Sequence, residues 1–82
     1  MKGIKEIFKV GTRFDMYYAN GERAYYYGTD VPVVEYVARM NDKSCWVGDI
    51  RWINDQKPAV SRKSWNSIET EFKMGIYRNP TN

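Results

Sequence analysis

Ten carboxylates, one thiol and no histidine are the chemical raw material of this 82-residue chain. Without histidine there is no Ser-His-Asp triad and no Cys-His nucleophile pair. Cys45 sits beside Trp46 with no base in sequence range, which reads as a small core hydrophobe. One thiol and no imidazole leave no ligand set for zinc, and a lone cysteine excludes an intrachain disulfide. The six glycines are scattered and match no phosphate-binding loop. Acid–base work by paired carboxylates stays open in principle for Asp15, Glu35, Asp49 and Glu69, but their spacing singles out no pair. Ser61-Arg62-Lys63-Ser64 brings serine near lysine; at a helix start those side chains diverge, so serine caps and the basic residues face water. The expectation is a non-catalytic protein with no cofactor and no metal site. A small carboxylate enzyme is the lesser alternative.

Binding chemistry is better represented. The chain carries seven Tyr, three Trp and three Phe, a net charge of +3 and a pI near 9.1. That balance permits an acidic protein surface or nucleic acid as partner and requires neither. Two groups stand out as partner-binding candidates. Arg13, Tyr17, Arg23 and Tyr26 fall in one aromatic and basic segment. Tyrosine suits protein interfaces, and the same residues stack on unpaired bases while arginine holds phosphates. Lys57, Arg62 and Lys63 gather near an expected helix start, where backbone N–H groups favour anions. The competing reading makes the tyrosines core or rim and the lysines ordinary solvated surface. Arg39 with Trp46, and Arg51 with Trp52, read as cation–aromatic pairs that stack in place.

These residues need elements to hold them. Phe14, Met16 and Tyr18 alternate with Arg13, Asp15 and Tyr17, and Asn20-Gly21 follows. That predicts a hairpin over 12–29 with a two-residue type I′ turn. Tyr18 then opposes Arg23, Met16 opposes Tyr25, and Phe14 opposes Tyr27 on the inner face. Tyr17 and Tyr26 are left outside, beside Arg13 and Asp15. A second hairpin is expected over 33–53, turning at Asn41–Ser44 and placing Arg39 opposite Trp46, with a bulge at Gly48-Asp49. Four valines in Val31–Val37 favour strand there, and a helix capped by Thr29 or Asp30 is the competitor. Trp65, Ile68, Phe72 and Ile76 share one helical face, predicting an amphipathic helix over 61–75 capped by Ser61 or Ser64, with Gly75 as its C′ residue. Ile4, Ile7 and Phe8 fit one helical turn or an irregular strand. Ile76-Tyr77-Arg78 fits a short last strand, and 79–82 a flexible tail.

The sum is a single α+β domain: a small twisted antiparallel sheet of four to five strands, SH3-like or partly rolled, with one C-terminal amphipathic helix. No apolar run is long enough to span a membrane and no signal-peptide pattern is visible, so a cytoplasmic protein is expected. A core this small makes a homodimer plausible.

Val10-Gly11-Thr12-Arg13-Phe14 and Ser61-Arg62-Lys63-Ser64-Trp65 frame a layout that resembles short phage- or mobile-element-encoded accessory proteins with a small barrel. The resemblance implies a protein-binding inhibitor or modulator, acting in the host cytoplasm on a defence or transcription complex. It carries over no functional residue. Tyr outnumbers clustered Lys and Arg on the predicted outer face, so a protein partner is the first expectation, with a nucleic-acid-binding module using Tyr and Arg/Lys as the alternative.

Overall fold

The computed structural model describes residues 3–82; Met1 and Lys2, expected to be loose, lie outside the described residues. Ile4–Ile7 forms one helical turn, α1, so the helical reading of this segment holds. Its spacing puts Ile4 and Ile7 against the core and leads into Phe8, which is wholly buried. The strands are β1 (Arg13–Met16), β2 (Val34–Met40), β3 (Ser44–Asp49), β4 (Val60–Ser64) and β5 (Tyr77–Thr81). A 3₁₀ turn spans Ile50–Trp52 and the main helix, α2, spans Trp65–Lys73. All strand pairs are antiparallel, in the order β4-β3-β2-β1-β5. The chain meanders from β1 to β4, and α2 then carries it across one face so that β5 closes on β1. This is the expected α+β layout, with the sheet open and β4 and β5 as its edges. Among the described residues no helix is long and apolar enough to cross a membrane.

The core lies between α2 and one sheet face. Phe14, Val37, Cys45, Val47 and Tyr77 point from the strands toward Trp65 and Ile68, with Phe8 wedged beside them. Phe8 meets Phe14 and Phe72 edge-on at ring-centroid distances of 5.2 and 5.3 Å, and Phe14 lies 4.6 Å from Tyr77. Edge-to-face rings align the positive rim of one ring with the negative face of the next, beyond the gain from burial.

Helix α2 begins later than the spacing predicts. Ser61–Ser64 lies in the edge strand β4, which pairs with β3 from Ser44↔Ser64 to Gly48↔Val60. Ser64 ends that strand and caps the helix, its Oγ accepting from Ser67 N–H at 3.1 Å. Pairing to β3 outweighs the weak helical preference of four polar residues. Trp65 is fixed at once, its indole N–H donating to the Asn41 carbonyl at 2.8 Å. The far end is as expected. Gly75 adopts φ +77°, and Gly75 and Ile76 N–H groups bond back to Phe72 and Glu71 in a Schellman arrangement. Residues 79–82 are no loose tail: Asn79–Thr81 belong to β5, and Thr12 Oγ1 meets Asn82 Oδ1 at 2.6 Å.

The first hairpin differs most from expectation. Tyr17 opposes Arg23, one residue out of the expected register. Asn20 does not take a positive φ; only Gly21 does, at +92°. The loop is therefore Ala19-Asn20-Gly21, closed by Gly21 N–H to the Tyr18 carbonyl and Tyr18 N–H to the Glu22 carbonyl. The return strand also fails to extend. Ala24 N–H reaches Met16, but β1 then takes β2 as its neighbour, with Asp15↔Val34 and Phe14↔Glu35. Residues 17–33 become a small lobe held by isolated bridges, including Tyr25↔Pro32. The valine-rich β2, buried on both sides at Tyr36 and Val37, is the stronger partner for β1.

The second hairpin is as expected in register, with Arg39 opposite Trp46. Its register shift falls at Val37/Arg39 in β2 and not at Gly48-Asp49. Strand β3 also stops at Asp49, four residues before the expected end, where the Asp49 carboxylate accepts from Arg51 N–H at 2.8 Å and starts the 3₁₀ turn. Gly48 has a packing role: a Cβ there would sit 3.2 Å from the Tyr36 ring and 3.1 Å from Val60 Cγ1.

Candidate functional site

Strand alternation sorts the charged residues onto two faces. Directly opposed residues share a face, so Phe14, Glu35 and Asp49 look toward α2, as do Cys45 and Lys63. Arg13, Tyr36 and Gly48 look the other way, as do Arg39, Trp46 and Arg62. Asp15, Arg78, Tyr17 and Arg23 join that second, open face.

The open face gathers five of the six arginines. Four of them stand in two stations, and Arg13 stands apart from both. At one, Trp46 lies between Arg39 and Arg62, with guanidinium carbons 4.4 and 5.6 Å from the ring centroid. Arg62 Nε donates to Ser44 Oγ at 2.8 Å. At the other, Tyr17 lies between Arg78 and Arg23, at 4.0 and 5.1 Å. Stacking on a ring fixes the plane of a guanidinium and leaves its N–H edge free to meet an anion.

The two stations differ in how far they are satisfied. Arg23 donates to the Met16 and Val33 carbonyls and pairs with Asp15 at 3.2 Å. Arg78 donates to the Gly75 carbonyl at 2.7 Å. Arg13 and Arg39 are exposed, and among the described residues neither has a hydrogen-bond or ion-pair partner. Asp15 is the one strand carboxylate facing this side among the described residues, and Arg23 and Asn79 already hold it. Arg13, Arg39 and Arg62 thus present unneutralised positive charge on a fixed frame.

The sequence candidates divide accordingly. Arg13, Tyr17, Arg23 and Arg62 share the open face. Tyr26 does not join them. Its hydroxyl donates to Asp49 Oδ1 at 2.7 Å, and the Arg51 guanidinium lies 3.5 Å over its ring while also pairing with Asp49 at 3.1 Å. Burial, then the bond to Asp49, raises the Tyr26 hydroxyl above its ordinary value. Burial pushes the Asp49 carboxyl up, but Tyr26 and Arg51 outweigh it and hold the group below the usual aspartate range. Lys57, Arg62 and Lys63 do not form one group either. Lys57 is exposed on the loop before β4, while Arg62 and Lys63 alternate to opposite faces. Arg39, read from sequence as a pair partner for Trp46, and Arg78, given no role beyond its place in the last strand, are the open-face arginines the candidate groups omit. Only the register brings them to the face.

The sequence's carboxylates split as well. Glu69 pairs with Lys73 on the surface of α2. Glu35 lies beneath the helix, near Lys63, Asp49 and Glu71, and Lys63 Nζ pairs with Glu71 at 3.4 Å. Burial raises the Glu35 carboxyl above its ordinary value against the pull of Lys63; burial likewise raises the Tyr77 hydroxyl, with Glu71 adding to it. The folded Glu35 keeps its proton to a higher pH than the unfolded one. Stability from this group is therefore greatest below the ordinary glutamate value and falls as pH rises through the raised one. Glu35→Gln removes that loss. The melting temperature of the variant relative to the parent should rise as pH increases from below the ordinary glutamate value through the raised one. A difference that stays constant with pH would show that Glu35 does not titrate in this way. Cys45 is sealed in the core, its thiol pushed up to about 11 by burial, which suits packing and not nucleophilic chemistry.

A separate exposed surface lies on the 17–33 lobe. Tyr18, Tyr25 and Val31 are about half exposed, and Tyr27 is fully so, at the corner of a turn in which Gly28 takes φ +72°. No family model, curated protein or solved structure matches the chain.

Proposed function

We propose that the chain is a non-catalytic cytoplasmic binding protein that holds an anionic macromolecule on the open face of its sheet. One observation carries this reading: Arg13, Arg39 and Arg62 stand unneutralised on a face whose single strand carboxylate is already engaged. Desolvating such charges is costly unless an anion meets them, and guanidinium groups already stacked on a ring, as Arg39 and Arg62 are on Trp46, meet carboxylate or phosphate with little further loss of side-chain freedom.

Retention on a heparin column tests it. Arg39→Gln with Arg62→Gln and Lys9→Gln with Lys57→Gln each lower the net charge from +3 to +1. The arginine pair should elute at clearly lower salt than the lysine pair. Equal elution would mean that only net charge matters and that the face is no site.

A second reading rests on the lobe. Tyr18, Tyr25, Tyr27 and Val31 form an exposed aromatic surface of the kind that anchors protein interfaces, in keeping with an inhibitor or modulator of a protein complex.

A further inference from the structure

Resting on the reading of the open face as an anion-holding surface, we infer that the partner is duplex nucleic acid, gripped by its phosphates without base stacking. Sheet faces that bind single strands offer free aromatic rings as platforms for unpaired bases. The open face here offers none. Trp46 is covered on two sides by Arg39 and Arg62, and Tyr17 by Arg78 and Arg23. Tyr36, the third ring on this face, is 5% exposed beneath its neighbours. The aromatics are spent on orienting guanidinium groups, so what the face presents is charge and N–H donors.

Such a surface matches a ligand whose bases are already stacked and hidden and whose phosphates lie outermost. The spacing agrees. Arg39 and Arg62 stand two strands apart, about 10 Å, and Arg13 lies one strand to the other side of Arg39. A duplex carries one charge per about 1.7 Å of axis, a density high enough for cations about 10 Å apart to find phosphates without a unique register. Recognition is then independent of sequence.

The test is fluorescence anisotropy with a labelled mixed-sequence DNA duplex of about 20 base pairs at about 50 and about 200 mM salt. Three phosphate contacts predict a log–log salt slope of about −2.7, a loss of about forty-fold in affinity across that range. Arg39→Gln/Arg62→Gln should reduce the slope to about −0.9 and Lys9→Gln/Lys57→Gln should leave it unchanged. A second duplex of different sequence should bind equally well. Tighter binding of the corresponding single strand would overturn the duplex assignment. Binding of poly-glutamate through Arg39 and Arg62, with no binding of duplex even at low salt, would overturn nucleic acid as partner while leaving the face as an anion site. Duplex binding that is indifferent to the arginine pair would overturn both the inference and the reading beneath it.

Discussion

Phe14→Ala is expected to bring the domain to the edge of unfolding. The ring is 1% exposed and joins β1 to both termini of the core, touching Phe8 on one side and Tyr77 on the other. Truncating a buried Phe costs about 3–5 kcal/mol through lost transfer energy and the cavity left behind. A chain of this length is held by only about 4–12 kcal/mol in total. Urea titration followed by tryptophan fluorescence should show the midpoint falling toward zero denaturant. Tyr27→Ala, at a fully exposed ring, should change stability by no more than about 0.5 kcal/mol. Similar midpoints for the two variants would show that the core is not organised around Phe14.

The second large effect belongs to Arg23, and it separates two roles for one residue. By sequence Arg23 is a binding candidate. In the structure its guanidinium holds the lobe to the sheet, donating to carbonyls on both sides of residues 17–33 and pairing with Asp15. Arg23→Ala removes two charged hydrogen bonds and an ion pair, while Ala24 N–H, Met16 N–H and Asn79 still meet the Met16 carbonyl, the Val33 carbonyl and Asp15, so the loss is about 1–2 kcal/mol. Arg23→Lys keeps one charge but lacks the planar fork that reaches three acceptors, so it should recover only part of that loss. Amide hydrogen exchange should rise across 17–33 in Arg23→Ala and stay near parental in α2. Unchanged exchange together with lost duplex binding would return Arg23 to the role first read from the sequence.

How much was legible follows from the range of each signal. The Arg39–Trp46 pairing was readable because a short turn fixes register locally, and the turn at Asn41–Ser44 does so. The Gly75 cap and the core-facing stripe of Trp65, Ile68 and the partly buried Phe72 were readable because each is set within one helical turn or two. The first hairpin misled for the opposite reason. Asn20-Gly21 suits a two-residue turn, yet a three-residue loop with only Gly21 at positive φ uses the same pair, and one added residue moves Arg23 to the other face. What the hairpin pattern lacked was competition from residues 34–36, far along the chain. The open face was invisible for the same cause. Arg13, Arg39 and Arg62 carry no shared spacing; they become neighbours only through the order β4-β3-β2-β1.

The pairing of β5 with β1 bears on how the chain is made. Phe14 gains Tyr77, and Thr12 meets Asn82, across sequence separations of 63 and 70 residues. While residues 34–64 emerge from a ribosome, β1 can join β2 and β3, but its outer edge stays bare and the ring of Phe14 lacks its cover. Until Tyr77–Thr81 is released, the nascent sheet offers an unpaired strand beside an incomplete core, the condition in which chains associate with one another. Closure of the sheet thereby waits for Tyr77–Thr81, and a chain stalled before Tyr77 is a better substrate for chaperones and proteases than one in which that strand has emerged.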